Sequence, residues 1–242
     1  MPEPFSTSPM YKQDINTPVF WLQEADFSAY LVGNQVRDRL LGIESDRADV
    51  DIATNAHPNQ VAQVLQKNNI IPTIVDEKFG VVSFTFSQIK FEITTFRQDI
   101  YRQDFDLVKR YPDEIRFVSV AAQDAPRRDL TINAIYFNPK TGKYLDYVGG
   151  LDDLNNKVIR LIGDPKIRLQ EDPIRILRAI RFKHLLRFKY DRATWSALQH
   201  SGKLIGKLSP TVAKKELRKL QTIPHYHAAR TDLVKIGIVK IA

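Results

Sequence analysis

The sequence predicts an α+β fold, with strands and short flanking helices in residues 1–148 and an all-helical region in residues 149–242. Up to about residue 148, runs rich in β-branched and aromatic residues alternate with short helical segments. Beyond that point apolar residues recur almost only at helical spacing. Gly149 and Gly150 separate the two patterns, so we predict the domain boundary there.

The first region contains four predicted strands and two predicted helices. Gly42 closes the first helix, and Pro58 stands at the entrance of the second, a position that proline favours. In the last strand Phe91 and Ile93 point to one face and Glu92 to the other. In chain order the elements are strand 27–33, helix 34–42, strand 48–54, the helix that begins at Pro58, strand 80–87 and strand 89–96.

Residues 97–117 are charged and aromatic without a sustained period, which predicts a long loop. Loops of this length are usually functional or mobile. The helical region has two main predicted helices, at residues 171–188 and 210–221, and no internal repeat.

Composition favours a folded chain with a polyanionic partner. Apolar residues make up 43% of the 242 residues, and the formal net charge of +8 favours nucleic acid as a partner. The chain has no Cys, which removes disulfide frameworks and Cys-ligated zinc and predicts a reducing, cytoplasmic compartment. The first 29 residues lack a basic start followed by an apolar run, and no stretch has 18 consecutive apolar residues. We therefore predict neither secretion nor a membrane span.

Two carboxylates share one face of strand 48–54. Asp49 and Asp51 are two residues apart, so both side chains point the same way while Val50 packs behind them. Adjacent like charges resist ionisation unless a cation relieves them, and Mg²⁺ prefers such hard oxygen ligands. With Glu92 from another strand, the pair can supply a two-metal site that activates a hydroxyl and stabilises a leaving pyrophosphate. The alternative is a solvated polar strand face, which a bare D-x-D pattern favours, so the choice depends on the motifs around it.

A glycine turn and several charged motifs follow one another in order along the chain. Gly33 and Asn34 lie between a strand and a helix, where backbone N–H groups can face a triphosphate. The D-x-D strand and the later acid Glu92 come next, and together these features resemble the nucleotidyltransferase superfamily that includes DNA polymerase beta. Three further motifs narrow the resemblance to the class II tRNA nucleotidyltransferase and bacterial poly(A) polymerase family: RRDLTINAIYF at 127–137, LDYVGGLDDL at 145–154 and EDPIRILRAIRF at 171–182.

The resemblance implies a nucleotidyltransferase head with a mixed β-sheet at residues 1–148 and an all-α neck at 149–242, with the start of a body domain. Relatives continue into large body and tail domains that hold the tRNA, and we expect these to be absent here. The implied activity is Mg²⁺-dependent, template-independent addition of C and A to tRNA 3′ ends from CTP and ATP, with release of pyrophosphate. The sequence leaves open addition of CC or A alone, poly(A) synthesis and a catalytically silent RNA-binding module. It predicts no oligomeric state.

The resemblance also implies roles for individual residues. Asp49 and Asp51 match the metal-binding pair, and Glu92 matches the third catalytic acid. In the R-R-D motif the arginines can neutralise phosphate and Asp129 can accept from a ribose hydroxyl. The alternative for that motif is a surface helix start with Asp129 as its cap. In relatives, a flexible loop helps to switch the nucleotide pocket from CTP to ATP. The residues of this chain that match that loop are Tyr101, Asp104 and Arg110. The implied nucleotide-binding residues are Gly33, Asn34, Arg37, Arg127, Arg128, Asp129, Asn133, Asp172, Arg175 and Arg178.

Asp172 and Arg175 carry the implied choice of base. Cytosine and adenine both present an amino donor beside a ring-nitrogen acceptor, whereas uracil and guanine reverse that order. An acceptor from Asp172 beside a donor from Arg175 therefore pairs with C or A and leaves mismatched polar atoms with U or G. The alternative is a helix start in which Asp172 is the cap, Pro173 the first residue and Arg175 a salt-bridge partner. The apolar stripe of this helix, which includes Leu177, is predicted to face the core. Arg175, Arg178 and Arg181 are predicted to lie on another side of the helix.

Two positions depart from the family pattern. Relatives usually carry Gly-Gly where this chain has Gly33 and Asn34, so the approach of the turn to phosphate is predicted to change. Asn nevertheless tolerates left-handed geometry better than most residues. Relatives often show Glu-Arg where this chain has Thr211 and Val212, so the ion pairing of that helix is predicted to be altered.

Overall fold

The computed structural model describes residues 9–43, 49–102 and 111–238. The chain divides into two compact units that interleave along the sequence. These units do not correspond to two consecutive stretches of sequence, so the domain boundary near residue 149 stays a prediction. The first unit comprises Met1–Gln98, Ile115–Arg127 and Asn133–Tyr147, and the second comprises Asp99–Glu114, Arg128–Ile132 and Val148–Ala242.

The strands up to residue 147 are, in chain order, β1 (Ala29–Val32), β2 (Asp49–Thr54), β3 (Ile74–Asp76), β4 (Val81–Phe86), β5 (Ile89–Thr95), β6 (Arg97–Ile100), β7 (Glu114–Phe117), β8 (Ile135–Asn138) and β9 (Lys143–Asp146). Seven of them form one sheet in the order β3-β4-β5-β2-β1-β8-β9. β2 and β5 are parallel, and the other paired neighbours in this sheet are antiparallel. The sheet is therefore mixed, and the predicted α+β class is confirmed.

The helices of this part are α1 (Pro9–Glu24), α2 (Asn34–Leu40), α3 (Pro58–Lys67) and α4 (Ala121–Asp124), with 3-10 turns at Ala125–Arg127 and Thr131–Asn133. The predicted strands and helices of this region are present, whereas α1, β3, β8 and β9 were not predicted. The prediction of one long loop at 97–117 is wrong at both ends, because β6 and β7 pair as a separate two-stranded sheet.

The acidic strand β2 is fixed by the apolar face behind it. Val50 and Ile52 are fully buried, and on β5 Phe91 is fully buried as well. The Phe91 ring stacks on the ring of Phe84 from β4, with centroids 5.1 Å apart. Each such side chain contributes about 1.5–3 kcal/mol of burial free energy. A one-residue slip of β2 would bury its aspartates instead, so packing determines which face carries the carboxylates.

The second unit is mainly helical. α7 lies at its centre and contacts both α9 and α10, and its residues Ile176, Leu177 and Ile180 are fully buried. No helix in the described ranges is long and apolar enough to cross a membrane. The elements are α5 (Gly150–Asn155), β10 (Val158–Ile159), α6 (Pro165–Glu171), α7 (Ile174–Leu186), β11 (Lys189–Tyr190), α8 (Arg192–Ser201), a 3-10 segment (Gly202–Lys207), α9 (Pro210–Gln221) and α10 (Tyr226–Lys235).

The helix predicted at 171–188 is α7, and the short helix α6 that precedes it was not predicted. α6 ends at Glu171 and α7 begins at Ile174. Between them Asp172 has an extended backbone, which is the conformation that a following proline imposes. The placement of the arginines is also corrected: Arg175 and Arg181 are each only 6% exposed and lie inside the unit beside the apolar stripe.

Candidate active site

The carboxylate strand β2 lies in the middle of the sheet of the first unit. Asp49 is exposed and Asp51 is half-buried. Asp51 pairs directly with Glu92 of the parallel strand β5, and Asp49 pairs with Lys90. Residues paired across neighbouring strands point to the same face, so the third predicted acid and one lysine share the face of the two aspartates.

The turn after β1 brings backbone close to the Asp51 carboxylate. Gly33 precedes α2 with φ 81° and ψ −141°, a conformation that glycine adopts without strain. A Cβ atom at this position would lie 2.8 Å from Asp51 Oδ2. The close approach therefore requires glycine, and it places an acidic oxygen beside the backbone at the start of α2.

The oxygen donors of Asp49 and Asp51 fit a hard divalent cation such as Mg²⁺. Within the described residues, however, no group of three His, Cys, Asp or Glu side chains is arranged to hold a metal ion. Glu92 thus shares a face with the pair without completing a three-carboxylate cluster. Its role as third catalytic acid stays a prediction, as does the metal site itself.

Arg37 supports the turn from inside the protein. Its side chain is fully buried. Its Nη1 donates to Asn34 Oδ1 at 2.9 Å and to Asn133 Oδ1 at 2.7 Å, and its Nη2 lies 2.6 Å from Asp38 Oδ1. The guanidinium is thus held by three side chains around the turn, and the implied nucleotide-binding role of Arg37 stays a prediction. Asn133 is 5% exposed and belongs to the same hydrogen-bond network, since it accepts from Arg37.

The first arginine of the R-R-D motif is held by a carboxylate that sequence reasoning missed. Arg127 Nε donates to Asp124 Oδ1 at 2.7 Å, and the Tyr136 hydroxyl donates to Asp124 Oδ2 at 2.7 Å. Asp124 is fully buried. The i,i+3 spacing of Asp124 and Arg127 is the sequence feature from which this ion pair could have been predicted.

In the second unit, Asp129 and Arg178 form a close ion pair. Asp129 Oδ2 accepts from Arg178 Nε at 2.5 Å, and Asp129 Oδ1 accepts from the backbone N of Leu130 at 2.7 Å. Burial by itself would raise the pKa of Asp129, but the Arg178 guanidinium and these hydrogen bonds lower the pKa to about 2. Asp129 is thus ionised throughout the neutral range and is part of an ion pair rather than a helix cap.

The residues expected to select the base are held by two neighbours that were not predicted. Arg175 Nη1 donates to the carbonyl oxygen of Arg168 at 2.7 Å and to Glu171 Oε2 at 3.0 Å. Arg168 also pairs with Glu171, and it donates to the carbonyl oxygen of Arg128. Asp172 Oδ1 accepts from the backbone N of Ile174 at 3.1 Å. The cap in the alternative interpretation is therefore present, with Glu171 as a salt-bridge partner of Arg175.

One of the three predicted loop residues can be placed. Burial, together with the charges of Asp99, Glu171 and Asp172, raises the pKa of the Tyr101 hydroxyl to about 12, against the opposing effect of Arg175. Tyr101 is therefore a neutral hydroxyl within electrostatic reach of the base-selecting residues. Asp104 and Arg110 lie outside the described residues.

A strand, a glycine turn and a helix beside a strand with paired aspartates, all on a mixed sheet, define the fold of a nucleotidyltransferase head domain. Residues 29–160 match the model of the poly A polymerase head domain. The chain belongs to the class II tRNA nucleotidyltransferase and poly(A) polymerase family, as the resemblance implied.

Several curated relatives of this chain are CCA-adding enzymes. That of Ligilactobacillus salivarius is 40% identical over 188 residues, which are 78% of this chain and 44% of the relative. That of Lactobacillus johnsonii is 36% identical over 238 residues, 98% of this chain and 55% of the relative. The crystal structure of the Bacillus stearothermophilus CCA-adding enzyme in complex with CTP superposes with a TM-score of 0.81 at 30% identity, covering 96% of this chain and 53% of that one. The chain thus spans about half the length of these relatives.

Proposed function

We propose that the chain is the catalytic part of a template-independent RNA nucleotidyltransferase that adds C and A to tRNA 3′ ends from CTP and ATP. The observation that carries the proposal is the Asp49–Asp51 strand, whose Asp51 carboxylate lies against the Gly33 turn. The names of the relatives and the CTP bound to one of them support the substrate class.

The chain's own residues have distinct tasks in this proposal. Asp49 and Asp51 hold Mg²⁺, which when bound lowers the pKa of the attacking 3′ hydroxyl and stabilises the leaving pyrophosphate. The Arg37 network keeps the Gly33–Asn34 turn in place, so that backbone N–H groups at the start of α2 stay available to phosphate. Glu92 contributes negative charge on the same face.

Base selection is proposed for Asp172 and Arg175. The contacts of Arg175 with Glu171 and the Arg168 carbonyl fix the plane of its guanidinium before any nucleotide binds. A fixed donor beside a fixed acceptor rejects a base with the reversed pattern, because mispaired polar groups cost about 1–3 kcal/mol each when they are buried. CTP and ATP then compete for one pocket, and UTP and GTP are poor substrates.

The test is an extension assay on tRNAs that lack one, two or three terminal nucleotides, with each nucleoside triphosphate supplied separately. We expect C and A incorporation by the wild type, and about a hundredfold loss or more in Asp51→Asn. The asparagine side chain has almost the same shape as aspartate, so the fold should stay intact. Near-wild-type activity of Asp51→Asn, or of the wild type with a chelator, would refute the metal assignment. Single Asp172→Ala and Arg175→Ala variants that keep the wild-type ranking of the four nucleotides would refute the base-selection assignment.

The same assay separates the open alternatives. Products that stop after two C residues, or that gain only A, indicate a partial adder. Long A tails indicate a poly(A) polymerase. Absence of any product, with tRNA still bound, indicates a silent RNA-binding module.

A further inference from the structure

Two cavities in the second unit have Lys183 in common. The first has a volume of about 280 Å³, and Arg187 and His225 contribute to its wall. The second has a volume of about 340 Å³, and Arg192 and Lys235 contribute to its wall. We call the residues around both cavities the Lys183 surface. None of them belongs to the candidate active site described above.

The second cavity has an aromatic wall. The rings of Tyr190 and Trp195 stack with centroids 4.9 Å apart and planes 13° apart. The Lys183 ammonium lies 5.4 Å from the centroid of the Tyr190 ring, within the range of a cation–π contact. The wall therefore combines a half-buried indole with positive charge beside it.

A buried aspartate holds this wall in place. Asp232 Oδ2 contacts His184 Nε2 at 2.7 Å and accepts from the Tyr190 hydroxyl at 3.0 Å. The Lys183 ammonium lies 3.4 Å from the same oxygen, so Asp232 offsets part of its charge. Arg187, Arg192 and Lys235 are exposed and keep the surface cationic. Because the tyrosine and the lysine are tied to one buried carboxylate, the arrangement is formed before a ligand binds.

We propose that the Lys183 surface binds a single-stranded segment of RNA. Cationic grooves with aromatic side chains are the general means of holding unpaired nucleic acid, since bases stack on the rings and phosphates contact the cations. One unpaired base stacks on Trp195, with its phosphates on Arg192 and Lys235. Lys183 leads the strand to the first cavity, where Arg187 contacts the next phosphate. Duplex RNA has no unpaired base to offer and is a poorer ligand.

Trp195 itself can report this binding. The chain has two tryptophans, at positions 21 and 195, so Trp21→Phe leaves Trp195 as the single indole. Titration of this variant with a six-nucleotide single-stranded RNA should quench the Trp195 fluorescence in a saturable way. The same RNA labelled with fluorescein gives an independent affinity by anisotropy.

Charge-matched variants then locate the phosphate contacts. In the Trp21→Phe background, Arg192→Gln with Lys235→Gln removes two exposed cations of the surface, and Lys214→Gln with Lys215→Gln removes two exposed cations of α9. We expect the first pair to weaken RNA binding about tenfold or more and to reduce the salt slope by about 1.4, at about 0.7 for each phosphate contact. The second pair should change the affinity less than about twofold. Trp195→Leu should weaken RNA binding by about the same factor as Arg192→Gln with Lys235→Gln, because the base loses its stacking partner.

Several results would overturn the proposal. Equal losses in the two charge-matched pairs would mean that net charge alone attracts RNA. RNA binding without any change in Trp195 fluorescence would place the RNA elsewhere, and equal affinity for duplex RNA would exclude stacking. Quenching by CMP or AMP at the concentrations effective for RNA would make the cavity a mononucleotide site. The extension assay on the same proteins tests the proposed nucleotidyltransferase activity separately. RNA binding to the Lys183 surface does not require nucleotide addition, so either proposal can fail without the other.

Discussion

Two aspartates in or near the R-R-D motif are each paired with an arginine. Asp124 pairs with Arg127 and Asp129 with Arg178, and each pair includes further hydrogen bonds to its carboxylate. Such carboxylates are neutralised by the protein itself, because an unpaired buried charge would cost several kcal/mol. Asp49 differs from them, since it is the first residue of β2 and its side chain is exposed. Exposure leaves its charge available to a soluble cation.

The Asp129–Arg178 pair makes stability depend on pH in the acid range. The folded pKa of Asp129, about 2, lies below its usual 3.8, so the stabilisation is fully present above about pH 4 and is lost as pH falls toward 2. A shift of this size corresponds to about 2.5 kcal/mol. We expect Arg178→Met to lower the free energy of unfolding at pH 7 by at least about 2 kcal/mol, as measured by urea denaturation. The difference from wild type should narrow between pH 4 and pH 2. A difference that does not change with pH would mean that Arg178 acts through packing alone.

The sequence was sufficient to predict the acidic pair and insufficient to predict its supports. Asp49 and Asp51 were recognisable because strand alternation is a local property of a few residues. The partnership of Arg37 with Asn133 joins positions 96 residues apart, and no local pattern encodes it. The sequence therefore predicted a nucleotide-binding role for Arg37 but not the buried hydrogen bonds through which Arg37 supports the turn.

At the scale of elements, the strand–turn–helix unit of β1, Gly33 and α2 depends on one glycine. Gly33→Ala puts a Cβ 2.8 Å from Asp51 Oδ2 and imposes a positive φ on alanine. We expect a loss of about tenfold or more in nucleotide incorporation, because Asp51 must move, with a modest loss of stability of about 1 kcal/mol.

Gly142→Ala is the matched control for that substitution. Gly142 also has a positive φ, of 68°, but a Cβ there meets no atom within 4 Å. Gly142→Ala should lower the stability by a similar amount, as measured by thermal unfolding. It should leave nucleotide incorporation unchanged. If both variants lose activity equally, the close approach of Gly33 to Asp51 has no functional importance.

Elements with a strong local period were predicted, and those that depend on distant pairing were not. The strands β2 and β5 alternate clearly, whereas β6 carries no apolar period and β7 alternates over four residues only, too few to predict a strand. α1 includes Pro18, a residue that argues against a helix interior on propensity alone. α6 was not predicted because Ile167 and Leu169 are too few apolar side chains to show a helical period.

The packing of α7 against α9 includes a buried ion pair. Arg181 Nε donates to Glu216 Oε1 at 2.6 Å, and both side chains are 8% exposed. Burial lowers the pKa of Arg181, while Glu216 opposes that shift. The helix with Thr211 and Val212 thus retains an ion pair through Glu216, although its pairing was predicted to be altered.

Removing one member of this pair should be far more costly than removing both. Glu216→Ala leaves the Arg181 charge buried and uncompensated, so we expect a loss of about 3–5 kcal/mol in the free energy of unfolding. The double variant Arg181→Met with Glu216→Leu should recover most of that loss, since apolar side chains of similar volume replace both charges. Urea denaturation of the three proteins measures the difference. A double variant as unstable as Glu216→Ala would mean that shape, and not charge, dominates at this contact.

At the scale of the whole molecule, the formal net charge of +8 is carried by a chain of 242 residues. Such a surplus raises the local concentration of a polyanion and speeds its association, without specifying its sequence. In the proposals above, specificity comes from fixed polar groups such as Arg175, while attraction comes from exposed cations such as Arg192. The two contributions respond differently to salt, because screening acts on exposed charges and hardly on buried ones.

We therefore expect tRNA binding by this chain to fall steeply with salt while base choice stays constant. Each phosphate contact releases counterions and contributes about 0.7–0.9 to the slope of log affinity against log salt concentration. Three contacts would lower the affinity about twentyfold to fortyfold between 50 and 200 mM KCl. Anisotropy titrations with labelled tRNA across this range measure the slope, and extension assays at the same salt concentrations measure the ratio of CTP to UTP incorporation. That ratio should stay within about twofold, because Arg175 is buried and held by Glu171. A flat affinity would contradict phosphate contacts as the source of binding, and a ratio that collapses with salt would contradict hydrogen-bonded base selection.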